Sequence, residues 1–128
     1  GRNVILHPKN SNPIITKDGV TVARFIDFDD PFENVGAQII KQASEETNAR
    51  AGDGTTTAIV LARAIFVEAQ KHIAAGASPV ELKRGIDKAT DVIVSNLKTI
   101  AKKVTKLEDI EDIATISANG DRTIGKVA

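Results

Sequence analysis

The chain contains no cysteine, which removes disulfides, thiolate metal sites and cysteine nucleophiles, and agrees with a reducing compartment. It also has no Tyr or Trp and only four Phe in 128 residues, few aromatic anchors for stacking bases or gripping a flat partner. An excess of charge is missing as well. With 17 Lys+Arg against 17 Asp+Glu, no global basic field draws in nucleic acid or an anionic membrane. Charge interrupts the apolar stretches every few residues, which excludes a transmembrane helix, and the first residues lack the basic, apolar, small-residue order of a signal peptide. A soluble chain without nucleic-acid or membrane partners is expected. The Gly-x-x-x-x-Gly-Lys-Ser/Thr cradle and the dinucleotide fingerprint are absent, which speaks against an ordinary P-loop kinase. His7 and His72 stand far apart with no acidic partner at zinc spacing and read as surface or loop residues.

What is present is one domain's length of chain, enough to bury roughly two-thirds of its unfolded surface. Val4-Ile5-Leu6 and Ile14-Ile15-Thr16 are β-prone runs flanking a Pro- and Asn-rich loop, which predicts a hairpin. Lys17-Asp18-Gly19 reads as a turn into a third strand, Val20-Thr21-Val22-Ala23. From Asp30 the period changes. Phe32, Val35, Ile39, Ile40 and Ala43 recur at helical spacing behind an Asp30/Glu33 capping box with Pro31 inside it, and Gly52 ends that helix. Thr55 opens a second helix with Ala58, Leu61, Ala62, Ile65, Ala69 and Ile73 on one face, stopping at Gly76. Ser78-Pro79-Val80-Glu81 reads as another capping box, followed by Leu82, Ile86, Ala89, Ile93, Leu97 and Ile100. Three helices with connections of about three residues predict a mainly α fold, an antiparallel helical bundle with a small β-hairpin element. The pattern weakens after Lys102-Lys103, so a boundary is expected near 101–106. Beyond it, Thr105 and Glu108 could cap a shorter helix, and Ser117 to Asp121 form a turn before helical spacing resumes at Thr123. Strand sequence at Gly1 and a helix starting just before Ala128 suggest an excised piece.

The chemically informative stretch is Gly52-Asp53-Gly54-Thr55-Thr56-Thr57, placed where one helix ends and the next begins. A helix start offers unpaired N–H groups and the positive end of the macrodipole to an anion. Gly54 permits close backbone approach, Thr55, Thr56 and Thr57 add hydroxyl donors, and Asp53 suits a hard cation sharing the phosphate charge. The bland alternative is a helix cap, which for the hexapeptide alone is the commoner case. Asp18 in Thr16-Lys17-Asp18-Gly19 is likewise an ordinary turn residue by itself. Together, two carboxylates near a phosphate-binding helix start suit Mg²⁺ and a water attacking the γ-phosphate.

These residues carry a resemblance. Gly1-Arg2-Asn3-Val4, Ile15-Thr16-Lys17-Asp18-Gly19-Val20, Ala51-Gly52-Asp53-Gly54-Thr55-Thr56-Thr57-Ala58, Leu82-Lys83-Arg84-Gly85-Ile86-Asp87 and Thr115-Ile116-Ser117-Ala118-Asn119-Gly120-Asp121 resemble, in order, a group I chaperonin of the GroEL type. The resemblance implies an equatorial-domain fold and an ATPase that assembles into homo-oligomeric rings and assists the folding of non-native polypeptides. It further implies that Asp53 binds Mg²⁺, that Gly54, Thr55, Thr56 and Thr57 hold the phosphates, and that Asp18 is the catalytic carboxylate that positions the attacking water. The backbone around Lys17, with Gly19 beside it, and Thr56 match nucleotide and K⁺ positions, while Ile116 and Ser117 approach the nucleotide. Residues 1–100 would be part of the equatorial ATP-binding domain and 101–128 the start of the intermediate hinge domain. The polypeptide-binding apical domain, the co-chaperonin contacts and the carboxylate usually credited with the main role in hydrolysis would lie outside this chain, leaving the isolated fragment inactive. The loop from His7 to Asn12 lacks the family's aromatic-Gly tip, with Asn10 and Asn12 suited to a turn, and Lys71 and Ala75 match a surface facing the opposite ring. Bacterial cytoplasm or an organelle matrix is the expected location, with stress response and folding catalysis as the setting. The competing reading is a helical protein-interaction module without nucleotide binding.

Overall fold

A computed structural model describes residues 2–8, 11–118 and 120–127. The chain is mainly helical and divides into two compact units, Gly1–Glu68 and Ala69–Ala128. The turn expected at Asn10 lies outside the described residues, as do Gly1 and Asn119 of the matched motifs.

In the first unit, strands β1 (Val4–Leu6) and β2 (Ile14–Thr16) pair antiparallel, with Ile5 opposite Ile15 at the centre. So short a ribbon has little stability of its own, and β1 leans on helix α1 (Gly19–Phe25). That helix occupies the run expected to be a third strand, and the reason is local. Asp18 takes the N-cap position and its side chain accepts from the Thr21 N–H, closing the first turn. Val20 and Ala23, three residues apart, then share one face and are buried, the chain's only buried apolar side chains among the described residues. Capping and burial outweigh the strand preference of Val and Thr, a preference spanning only about 1 kcal/mol.

Helix α2 (Pro31–Ala51) begins and ends where expected. Asp30 caps it by accepting from the Phe32 and Glu33 N–H groups at 2.8 and 3.0 Å, with Pro31 at the first helical position. Gly52, at φ 68°, closes it in the left-handed conformation. The buried face is not the expected one. Phe32, Val35 and Ile39 are exposed, whereas Lys41 and Ser44 are buried. Helix α1 lies along α2, and Lys41 Nζ donates to the Arg24 carbonyl at 3.4 Å. A lysine reaching the orphan carbonyl near a helix end satisfies both groups. Arg24 and Glu45 form a further ion pair at 3.4 Å whose exposure limits it to about 0–1 kcal/mol.

Helix α3 (Thr55–Ala74) starts at Thr55 and closes on Gly76, φ 96°, with Ala77 N–H donating back to the His72 carbonyl. In the second unit, α4 (Pro79–Ile100) starts after Ser78, but the expected capping box is not formed. Ser78 makes no side-chain cap bond, and Glu81 pairs with Arg84 at 2.6 Å instead. Residues 101–106 carry neither helix nor strand. Helix α5 (Leu107–Ser117) takes Lys106, not Thr105, as its N-cap, with no side-chain cap bond. Helix α6 (Arg122–Gly125) begins one residue before the expected point, capped by Asp121, and packs on α5. Gly125 makes this possible. A Cβ there would lie 2.9 Å from the Glu111 carbonyl and overlap Thr115.

Candidate functional site

The turn between α2 and α3 presents two left-handed glycines around one acid: Gly52 at φ 68° and Gly54 at φ 77°. Asp53 is exposed, and its Oδ1 accepts from the adjacent Gly54 N–H at 2.7 Å. This bears directly on the cap reading. Asp18, Asp30 and Asp121 each accept from N–H groups in the first turn of the helix they precede. Asp53 does not; among the described residues no side chain accepts from the Thr55, Thr56 or Thr57 N–H groups. The first turn of this 20-residue helix therefore keeps its orphan donors for another acceptor. The Asp53 carboxylate also retains lone pairs that Gly54 does not use.

Asp18 approaches the same turn from α1. A Cβ on Gly19 would overlap the Thr56 side chain and lie 3.1 Å from Thr55 Oγ1, so Gly19 is in direct contact with the first residues of α3. Thr55 is buried beneath this contact. This contact sets Gly19, and with it the Lys17-Asp18 segment of the chain, beside Thr55 and Thr56, a proximity that sequence alone does not show. Thr57, one residue on, is exposed. Ile116 and Ser117 belong to the second unit, where they form the exposed C-terminal end of α5.

The Asp18 carboxyl lies below the usual aspartate range. The Thr21 hydroxyl bond is the main cause; partial burial opposes it, and the Thr21 and Val20 backbone N–H groups and the Arg24 charge add to it. Asp18 is therefore an anion at neutral pH. Its backbone is fixed too, since its N–H donates to Thr16 Oγ1 at 3.1 Å.

A groove of about 570 Å³ opens beside the site. It meets the site at Lys17, Gly19 and Thr56, but its walls are apolar, with Val22, Ile40 and Ile59 among them. Charged and hydroxyl groups, Arg2, Lys17, Lys41 and Thr56, line it as well. Sequence reasoning missed two α2 residues in this unit, Lys41 and Ser44. Ser44 is fully buried and its Oγ has no hydrogen-bond partner among the described residues. Their spacing of three on one helix face was a signal, masked because both residue types usually lie at the surface.

No group of three or more His, Cys, Asp or Glu side chains that could hold a metal occurs among the described residues. The donors present fit Mg²⁺ only in its phosphate-assisted mode, in which one or two carboxylates share the ion with phosphate oxygens and water.

Comparison with known proteins bears on the family and the fold. A profile of the TCP-1/cpn60 chaperonin family matches residues 1–127. The fold is similar to a solved group III chaperonin in the open state, with TM-score 0.75 and 27% identity over 98% of this chain. The chain spans 25% of the length of that chaperonin. The family match covers residues 1–127 and the structural match 98% of the chain: the chain belongs to the TCP-1/cpn60 chaperonin family.

Proposed function

We propose that this chain supplies the Mg·ATP phosphate contacts and part of the ring scaffold of an ATP-driven folding chaperonin of group I. The observation that carries the proposal is the uncapped start of α3. The Asp53 carboxylate is turned to Gly54 N–H, the Thr55, Thr56 and Thr57 amides are left to an anion, and Asp18 is held alongside through the Gly19 contact. In this reading Thr55, Thr56 and Thr57 orient the phosphates by backbone and hydroxyl donation, and Gly54 lets the chain approach them. Asp53 would hold Mg²⁺, which supplies positive charge against the phosphates when bound. Asp18 would hold the attacking water and Lys17 and Thr56 a K⁺ ion, while the resemblance assigns Ile116 and Ser117 to the nucleotide as well. Residues 1–100 would belong to the equatorial domain and 101–128 to the hinge, a division supported by the absence of helix and strand at 101–106. Homo-oligomeric rings, polypeptide clients, a co-chaperonin and a place in bacterial cytoplasm or an organelle matrix follow from the group I resemblance.

The test is titration calorimetry of the full-length parent and of this chain with ADP and Mg²⁺, each beside its Asp53→Ala variant. Binding that is present in the parent and lost on substitution is the expected result. Equal binding by the parent and its Asp53→Ala variant would overturn the proposal. The alternative, a helical interaction module, draws on the exposed apolar residues of α3 and α4, such as Leu61, Phe66, Ile93 and Leu97. It predicts no nucleotide binding by the parent and little change in stability for Asp53→Ala, since Asp53 makes no cap bond to the first turn of α3.

A further inference from the structure

An N-cap needs one bond from its side chain to a first-turn N–H, and Asp18 has that bond: Thr21 N–H donates to Oδ2 at 3.0 Å. Thr21 adds a second. Its hydroxyl donates to the same Oδ2. Any residue except proline at position 21 would supply the N–H, but only Ser or Thr supplies both donors with this reach. Because both take Oδ2, Thr21 fixes the plane of the carboxylate without engaging Oδ1. The backbone of Asp18 is fixed from the other side by Thr16 Oγ1, so neither the residue nor its carboxylate is free to swing. The Gly19 contact places this rigid unit against Thr55 and Thr56.

We propose that Thr21 is a positioning residue for ATP hydrolysis, its hydroxyl and N–H together pinning Asp18 Oδ2 so that the other carboxylate oxygen is presented to the attacking water beside the start of α3. This rests on the reading of Asp18 as the carboxylate that holds that water. A group that orients or deprotonates water acts only within hydrogen-bond reach and in the right direction, so a carboxylate free to rotate loses turnover without losing nucleotide. The hydroxyl also disfavours protonation of Asp18, which keeps it an acceptor. A purely structural Thr21 would act differently: its loss would loosen α1 and lower binding and turnover together.

The experiment compares ATP turnover and ADP affinity in full-length rings of the wild type, Thr21→Val, Thr21→Ser and Asp18→Asn. Valine keeps the shape and the N–H and removes only the hydroxyl. Should the valine ring fail to assemble, Thr21→Ala makes the same comparison with a better helix former. The expected result is a kcat lower by roughly 10- to 100-fold in Thr21→Val, with the ADP Kd within about twofold of wild type. Thr21→Ser should recover most of that turnover, and Asp18→Asn should fall at least as far as Thr21→Val. Wild-type turnover in Thr21→Val beside a slow Asp18→Asn overturns the positioning role and leaves the Asp18 reading standing. Undiminished turnover in Asp18→Asn overturns both. Parallel loss of turnover and ADP binding in Thr21→Val, unrecovered by Ser, shows a structural residue and also overturns the proposal.

Discussion

At Gly19 the important feature is a missing atom. A Cβ there would overlap Thr56 and crowd Thr55 Oγ1 at 3.1 Å, so Gly19→Ala should destabilise the first unit by about 1–3 kcal/mol, measured as a lower urea midpoint. Gly54 differs in kind. Its nearest neighbour to an added Cβ is Thr47 Cγ2 at 3.9 Å, an ordinary contact, so the penalty of about 1–2 kcal/mol for Gly54→Ala comes from φ 77° alone. Asp18 provides a pH signature. A carboxyl lowered on folding stabilises the fold above its unfolded pKa, and that contribution is lost as pH falls through the folded value. Stability should decline below about pH 4, the usual aspartate value, and Asp18→Asn should flatten that decline in acid titrations followed by circular dichroism. Equal slopes for the two proteins would contradict the assignment. The acids themselves were legible because Asp-Gly marks turns. The Thr21 contact was not, because a threonine between two valines looks like strand, and only the folded helix brings its hydroxyl onto Asp18.

Among elements, the helix starts separate what sequence reveals from what it conceals. Asp30-Pro31-Phe32-Glu33 and Ser78-Pro79-Val80-Glu81 carry the same signature, yet only Asp30 makes its cap bonds. Asp30→Ala should therefore cost about 0.5–2 kcal/mol and speed hydrogen exchange at Phe32 and Glu33. Ser78→Ala should change exchange in the first turn of α4 little, since Pro79 already sets the helical φ and Glu81 is taken by Arg84. Helix ends at Gly52 and Gly76 were readable because a left-handed close needs glycine. The buried face of α2 was not: α1 sits on it, and no local rule says which stripe of a helix a short neighbouring helix will cover. The start of α6 depended on Asp121, whose capping role is visible in sequence only as a turn residue.

For the molecule as a whole, the apolar faces predicted for α3 and α4 exist as stripes, but they are not buried: Leu61 is 56% exposed, Ile93 57% and Ile100 72%. Exposed apolar area of this extent drives association. Static light scattering of the isolated chain should show mass rising with concentration, and Leu61→Glu with Ile93→Glu should return it towards a monomer; a dispersed wild-type monomer would contradict this. The close fit at Gly19 bears on how the first unit responds to a ligand. Where α1 touches α3 there is no slack, and packed interfaces move by discrete steps instead of yielding gradually. A displacement of the first turn of α3 is therefore expected to be felt at Gly19 in α1, and α1 in turn bears on β1. The hairpin thus becomes the pointer of a lever whose short arm is the triplet of threonines.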